Sequence, residues 1–156
     1  MDPRPSISSG LWFVGALVVV HVQAAQSDGR LGAWESEEYL DARLPRHVHR
    51  REDEQVVLLD GQITFWVGDR IHHLVPGQTL SLPRDVPHAH LVTSRKARIL
   101  TVATPGGVEQ LFMDLGIPAL PGTTAPPPPD NAVLAKAAGR LGIQIVGPPP
   151  TVDGTS

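Results

Sequence analysis

Short apolar runs separated by turn residues make up most of the chain. The dipeptides Asp60-Gly61 and Pro76-Gly77 interrupt runs that are rich in valine, isoleucine and leucine, and aspartate, proline and glycine suit tight turns. Such runs, with turn signals every ~8–12 residues, are typical of an all-β sandwich or barrel. We therefore predict an all-β fold, with strands or extended segments at residues 11–22, 34–44, 55–59, 62–67, 71–75, 79–82, 88–92 and 97–103.

The apolar run from Leu11 to Val22 is interpreted as a buried strand. It is rich in valine, and it is shorter than the ~20 residues that a membrane-spanning helix needs. A secretory signal is the alternative, because Val22-Gln23-Ala24 resembles a cleavage site. Residues 1–10 are predicted to be a flexible N-terminal arm. We expect a cytoplasmic protein that does not enter a membrane.

The apolar spacing becomes helical near the end of the predicted barrel. Four apolar residues recur at helical spacing: Val108, Leu111, Phe112 and Leu115. Gly116 can end this helix, and Asp130 or Asn131 can cap a second helix that ends at Gly142. The predicted organisation is a barrel at 11–116, a proline-rich linker at 117–130, a C-terminal helix and edge segment at 131–147, and a frayed tail at 148–156.

Length and composition limit the classes of function. A chain of 156 residues with 41% hydrophobic residues is sufficient for one domain with a core. The net charge is −3 and no long basic run is present, which argues against nucleic acid as a partner. The chain has no cysteine, and this excludes disulfides, thiolate metal sites and a cysteine nucleophile.

Three histidines and one glutamate can reach a common metal ion. His47 and His49 are two residues apart, so a strand places both on one face. Glu54 follows where the next strand can begin, and His88 would arrive from a distant strand. Neutral imidazoles and a carboxylate together suit a divalent first-row metal. We predict a metal site formed by these four residues, against the alternative that they are surface side chains.

The spacing of these residues resembles the two sequence motifs of the cupin family. The first motif is matched by His47, His49, Glu54 and Gly61, and the second is matched by Gly77, Pro83 and His88. The chain departs from the motifs at three points: Ala42 or Arg43 stands in place of the leading glycine, Asp85 replaces an inner glycine, and Val92 replaces an asparagine. None of these departures removes a metal ligand of the family.

Within the cupins, the layout is similar to the small quercetin-dioxygenase-like group, which also includes polyketide cyclases. The similarity extends to the segments 12–15, 112–116 and 142–149. This resemblance implies a single-domain jelly-roll β-barrel with one or two short C-terminal helices, commonly a homodimer. It also implies one divalent transition metal, and the ligand set does not choose among Fe, Mn, Co, Ni and Zn.

The resemblance implies a metal-dependent dioxygenase that acts on a flavonol, enol or phenolic small molecule. Glu54 would then be a metal ligand, or it would swing off the ion and act as the base that deprotonates the substrate. A non-oxidative cyclase, isomerase or decarboxylase of polyketide-type metabolism is the first alternative. A non-catalytic cupin that binds a small molecule is the second.

Several further residues are candidates for the substrate pocket. Phe65, Trp66, Phe112 and Met113 can form an apolar wall, although core packing is the alternative for each. His90 shares a face with His88 on a regular strand, so it can line the pocket or be a core histidine. We assign no functional role to His72 or His73. Apart from Glu54, the run at residues 50–54 is interpreted as a solvated turn.

Overall fold

The computed structural model describes residues 10–151 and residue 153, which form twelve β-strands and two α-helices. The strands are β1 (Gly10–Phe13), β2 (Ala16–Val22), β3 (Gly32–Tyr39), β4 (His47–His49), β5 (Asp53–Asp60), β6 (Ile63–Val67), β7 (Arg70–Leu74), β8 (Thr79–Leu82), β9 (His88–Val92), β10 (Lys96–Thr104), β11 (Ile117–Ala119) and β12 (Ile143–Ile145). The helices are α1 (Glu109–Leu115) and α2 (Asn131–Arg140), and a short 3₁₀ turn spans Ala24–Ser27.

The strands form two antiparallel sheets. Seven strands make the larger sheet in the order β11-β1-β2-β3-β10-β5-β8, and five make the smaller sheet in the order β12-β4-β9-β6-β7. The alternating burial of β10, from Ala97 to Ala103, shows that one face of the larger sheet is covered while the other meets solvent. The predicted all-β fold is therefore confirmed.

The N-terminal apolar run is a hairpin, which corrects the prediction of one strand at residues 11–22. Strands β1 and β2 pair with each other, and Val14 and Gly15 form the turn between them, with φ angles of 47° and 81°. Glycine tolerates a positive φ, whereas a β-branched valine rarely adopts one. The valine therefore hid the turn from the sequence pattern. Of the predicted arm, residues 1–9 lie outside the described residues, and Gly10 begins β1.

Segments after residue 116 complete both sheets. Strand β11 lies in the predicted linker and pairs with β1, while β12 pairs with β4. The barrel therefore does not end at residue 116. The tail from residue 148 does not begin as a frayed end, because the carbonyl of Pro148 accepts a hydrogen bond from the Arg46 N–H at 3.3 Å and Pro150 is fully buried.

Both helices pack on one end of the barrel. Asp130 caps α2, since its carboxylate accepts a hydrogen bond from the Ala132 N–H at 2.7 Å, and Gly142 follows that helix with a φ of 76°. One apolar cluster beneath the helices includes Phe13, Trp34, Leu111, Phe112, Ala138 and Ile143. A second cluster includes Val56, Leu58, Ile63, Phe65, Leu82 and Ile99. Neither helix, within the described part of the chain, is long and apolar enough to cross a membrane.

Candidate metal centre

The three predicted histidine ligands lie together at one end of the smaller sheet. His47 and His49 share a face of β4, and His47 pairs across the ladder with His88 of β9. One ring nitrogen from each histidine lies within 4.8 Å of the others. The rings of His49 and His88 are nearly parallel, with an interplanar angle of 7°. The strand period and the pairing register thus bring together side chains that are about 40 positions apart in sequence.

Glu54 reaches the same point from the larger sheet. Its Oε2 atom lies 3.5 Å from Nε2 of His49 and 3.5 Å from Nε2 of His88. Glu54 faces inward from β5 and is buried. The structure therefore brings the four predicted ligands together.

Each histidine has an oxygen atom beside its Nδ1. For His47 this is the carbonyl oxygen of Pro45, at 2.8 Å, and for His88 it is the carbonyl oxygen of Val86, at 3.3 Å. In His49 the Nδ1 atom lies 3.5 Å from Oε2 of Glu52. When Nδ1 carries the proton in each ring, Nε2 is left with a lone pair for an ion, which is the usual arrangement of metal-bound histidines.

Glu52 is buried, with 3% of its surface exposed, and this corrects the prediction of a solvated turn. Within the described residues, only His49 Nδ1 and Glu52 Oε2 are fully buried side-chain nitrogen or oxygen atoms without a hydrogen bond. These two atoms face each other at 3.5 Å. Glu52 was not predicted as a site residue, and its i+3 spacing from His49 is the signal that the sequence offers.

The protonation states suit a cation. Burial, together with the charges of His88 and His49, lowers the pKa of His47 to about 3. Burial would raise the pKa of Glu54, but the three neighbouring imidazoles outweigh it and lower the pKa to about 2. Burial would lower the pKa of His49, and the carboxylates of Glu54 and Glu52 outweigh it and raise that pKa. At neutral pH His47 is neutral and Glu54 is ionised, which are the forms that bind metal.

The donor set fits a metal ion. Three imidazole nitrogens and one carboxylate oxygen converge, and the carboxylate supplies negative charge that offsets the burial of a cation. The unpaired buried atoms of His49 and Glu52 also fit, because a metal on Nε2 strengthens the Nδ1–H as a donor to the carboxylate. These residues could therefore hold one divalent ion.

A cavity of about 160 Å³ lies beside the four residues. Both apolar clusters contribute to its wall, and two of the predicted pocket residues, Phe65 and Phe112, line it. Trp66 does not line the cavity, because it follows Phe65 on β6 and neighbouring residues of a strand face opposite sides. Met113 is 44% exposed and does not line it either. The structure therefore places neither side chain in the wall of this cavity.

His90 lines the cavity and has a carboxylate partner that the sequence analysis missed. Its Nε2 atom lies 2.7 Å from Oε2 of Glu38 on β3, and the Ser36 hydroxyl donates to Oε1 of Glu38 at 3.0 Å. Burial would lower the pKa of His90, but Glu38 outweighs it and raises the pKa. Burial would raise the pKa of Glu38, and His90 outweighs it and lowers that pKa. The two residues thus form a buried hydrogen-bonded pair within the wall of the cavity, and each partner favours the charged form of the other.

Comparison with known proteins agrees with this geometry. Residues 40–103 match the family described as the cupin domain. Over this region, the chain is similar to the cupin family. The matched region includes the four candidate ligands, and it ends within β10. The resemblance that the two motifs carried is therefore confirmed at the level of the family.

Among curated proteins, the chain is similar to quercetin 2,3-dioxygenase of Bacillus subtilis (strain 168). The two are 27% identical over 75 residues, which is 48% of this chain and 22% of that protein. The chain thus spans about a fifth of the curated relative that it matches.

Solved structures show the same cupin fold. KdgF from Halomonas sp. superimposes with a TM-score of 0.56 at 16% identity, over 62% of this chain and 84% of that one. The polyketide cyclase RemF from Streptomyces resistomycificus superimposes with a TM-score of 0.52 at 20% identity, over 61% of this chain and 68% of that one. At these identities the likeness establishes the jelly-roll fold.

Proposed function

We propose that this cupin is a metal-dependent dioxygenase of quercetinase type that acts on an enol or phenolic small molecule. The observation that carries the proposal is the convergence of three imidazoles and the Glu54 carboxylate beside a largely apolar cavity. The sequence similarity to a quercetin dioxygenase supports the type of reaction. The homodimer that the resemblance implies stays a prediction.

The size of the cavity narrows the substrate class. A cavity of roughly 150 Å³ encloses one benzene ring, and the cavity here is about 160 Å³. It therefore matches one ring, or an enol of similar size. A three-ring flavonol would be enclosed only in part, with its other rings at the mouth. We accordingly expect one-ring phenols and small enols to be better substrates than flavonols.

Glu54 has a chemical role beyond holding the ion. A divalent ion at this site supplies Lewis acidity that lowers the pKa of a substrate hydroxyl. Glu54 is ionised at neutral pH, so its carboxylate can accept the proton of that hydroxyl. Phe65, Phe112 and the other apolar side chains of the wall exclude water from the resulting anion. The electron-rich substrate then reacts with dioxygen, both oxygen atoms enter the product, and a carbon–carbon bond breaks.

The test is metal analysis combined with oxygen uptake. Protein prepared with Fe(II), Mn(II), Co(II) or Ni(II) should bind one ion per chain and consume oxygen with a one-ring phenol or enol. Glu54→Gln, which keeps the shape of the side chain, should slow uptake by the ~10²–10⁴-fold that a positioned base contributes. If no preparation consumes oxygen with any phenol or enol, the dioxygenase assignment is wrong.

A paired histidine substitution tests the ligand set separately. His88→Ala should lower metal affinity by more than the ~10–100-fold that follows loss of an outer-sphere partner, while the barrel stays folded. His73→Ala is the matched control, because His73 is exposed on β7, away from the site, and its Nδ1 forms a hydrogen bond with the Thr64 hydroxyl. Equal metal content in the two variants would remove His88 from the site.

A non-oxidative cyclase or isomerase is the second candidate. The buried Glu38–His90 pair favours it, since it places a second polar group in the cavity and proton transfer between carbon positions needs such a group. The fold shared with a polyketide cyclase is compatible with this chemistry. Turnover of a polyketide-like substrate under anaerobic conditions would favour this reaction over the dioxygenase.

A further inference from the structure

His90 lines the cavity and has one ring nitrogen without a hydrogen-bond partner among the described residues. Its Nε2 is engaged by Glu38 at 2.7 Å, whereas its Nδ1 makes no hydrogen bond to any described residue. Within the part of the chain that the structure describes, Nδ1 has no partner and is nevertheless not fully buried, and His90 is one of the residues that line the cavity. A ligand in the cavity can therefore reach this nitrogen.

Thr101 offers a second unpaired group on the opposite wall. It is buried, it lines the same cavity, and its hydroxyl has no hydrogen-bond partner among the described residues. On the inner face of the larger sheet, Thr101 pairs with Trp34 while Ile99 pairs with Ser36, so Thr101 is the diagonal neighbour of Ser36. Diagonal neighbours are about 7–8 Å apart. Thr101 therefore lies near Ser36, the first member of the hydrogen-bonded series Ser36–Glu38–His90.

The distance from the two polar groups to the candidate metal centre is about the length of one aromatic ring. His88 and His90 are two residues apart on β9, which corresponds to about 6.6 Å along a strand. Thr101 is also a diagonal neighbour of Glu54 across β5, because Ala103 pairs with Glu54 and Thr101 pairs with Val56. The cavity itself matches a single ring in volume.

We infer that His90 and Thr101 form a second recognition point in the cavity. One end of the substrate ring carries the oxygen that is directed to the metal centre, and this point binds a polar substituent at the opposite end of the ring. Glu38 is a positioning residue, because it engages His90 through Nε2 and leaves Nδ1 free to bond a ligand. The substrate class is a one-ring molecule with an oxygen function at each end. This inference rests on the proposed function for the identity of the first end.

The test compares two probes of similar size, hydroquinone and 4-methylphenol. They differ in the group at the far end of the ring, which is a hydroxyl in the first and a methyl in the second. Affinities are measured by calorimetry on the Zn(II)-loaded protein, since zinc is not redox-active, and metal content is measured for every variant. The readout is the ratio of the two affinities relative to the ratio in the wild type, which cancels intrinsic differences between the probes.

Thr101→Val keeps the side-chain shape and removes only the hydroxyl, so no buried group loses a partner. It should lower the preference for hydroquinone roughly threefold to tenfold, as expected for one hydrogen bond. The combined variant Glu38→Met and His90→Phe removes both members of the ion pair and should lower it on the order of tenfold to a hundredfold. Thr79→Val, at an exposed position of β8, should leave the ratio unchanged.

Metal content should not change in any of these variants, and 4-methylphenol should not lose affinity, because its methyl group makes no hydrogen bond. Glu38→Gln, which can still accept a hydrogen bond from His90, should keep most of the preference, and this result separates positioning from a general structural effect. If the combined variant does not fold, the affinity ratio of Thr101→Val alone tests the inference.

An unchanged ratio in Thr101→Val and in the combined variant overturns the inference, and so does a wild type that binds neither probe. Metal-dependent oxygen uptake in the same preparations would then still support the proposed dioxygenase. Conversely, a ratio that falls as expected in a protein without oxygen uptake would support the recognition point and remove the dioxygenase.

Discussion

Glu52 offers a direct test of how the candidate metal centre is held together. Its Oε2 atom is buried and lies 3.5 Å from Nδ1 of His49, and neither atom has a hydrogen-bond partner within the described part of the chain. Glu52→Leu removes this contact and leaves the four candidate ligands in place. We expect weaker metal binding without loss of the fold.

The size of the effect follows from the contact. A buried donor that loses its only acceptor costs about 1–3 kcal/mol, and about 1.4 kcal/mol corresponds to a factor of ten. Metal affinity should therefore fall roughly 5-fold to 150-fold. This range overlaps the ~10–100-fold loss that is usual when the outer partner of a metal-bound histidine is removed. Glu52→Gln, which keeps a neutral acceptor, should lie between the wild type and Glu52→Leu.

The assay is a competition titration of Co(II) or Zn(II) against a chelator of known affinity, with a thermal unfolding curve of the metal-free protein. Because the metal-free wild type holds a buried carboxylate with one distant partner, Glu52→Leu should leave the unfolding temperature unchanged or raise it. Glu37→Leu is the control, since Glu37 faces outward on β3 and its carboxylate lies 3.3 Å from Nζ of Lys96. It should leave metal affinity unchanged.

Two results would refute this reasoning. Equal metal affinity in Glu52→Leu and Glu37→Leu would mean that Glu52 does not support His49. A large loss of stability in the metal-free Glu52→Leu protein would mean that the carboxylate serves the fold and not the ion.

Three other substitutions test the fold that surrounds the site. Phe112→Ala should destabilise the protein by about 3–5 kcal/mol in chemical denaturation, because Phe112 is buried at the helical end of the barrel, whereas exposed Met113→Ala should change stability by less than ~0.5 kcal/mol. Gly61→Ala should lower the free energy of unfolding clearly more than Gly77→Ala in the same measurement. Both glycines have a positive φ, but only at Gly61 would a Cβ lie 2.1 Å from a backbone oxygen. Equal losses of stability in the two variants would contradict this reasoning. Asp130→Ala should lower stability by about 1 kcal/mol through loss of the α2 cap, and no change would show that the cap is dispensable.

Local pattern was sufficient for the strands that surround the metal centre. Strands β8 and β9 begin and end at the predicted residues. Gly77 and Pro83 flank β8, and Pro87 directly precedes β9. The shared face of His47 and His49 follows from the strand period alone. Where a turn contains a residue that is unusual in turns, as at Val14, the local pattern did not predict the turn.

The two acidic residues that the sequence analysis missed are defined by contacts made in the folded chain. Glu38 is one of several glutamates on β3, and only the facing of the two sheets identifies it as the one that meets His90. Glu52 stands among charged neighbours, and its burial depends on how the turn between β4 and β5 folds back on His49. The charge of these residues does not separate them from solvent-exposed glutamates, and the i+3 spacing of Glu52 from His49 does not by itself establish that the two side chains meet.

The sequence by itself determined the class of fold, the order of the central strands and, through the cupin resemblance, the four candidate ligands. These features depend on residue type and short-range periodicity, which are properties of the chain. Tertiary structure alone decided which carboxylates support the histidines, which aromatic side chains line the cavity, and that part of the predicted linker joins the larger sheet as β11. Those outcomes depend on strand register and on the packing of one sheet against the other, and such long-range pairings leave no local signal in the sequence.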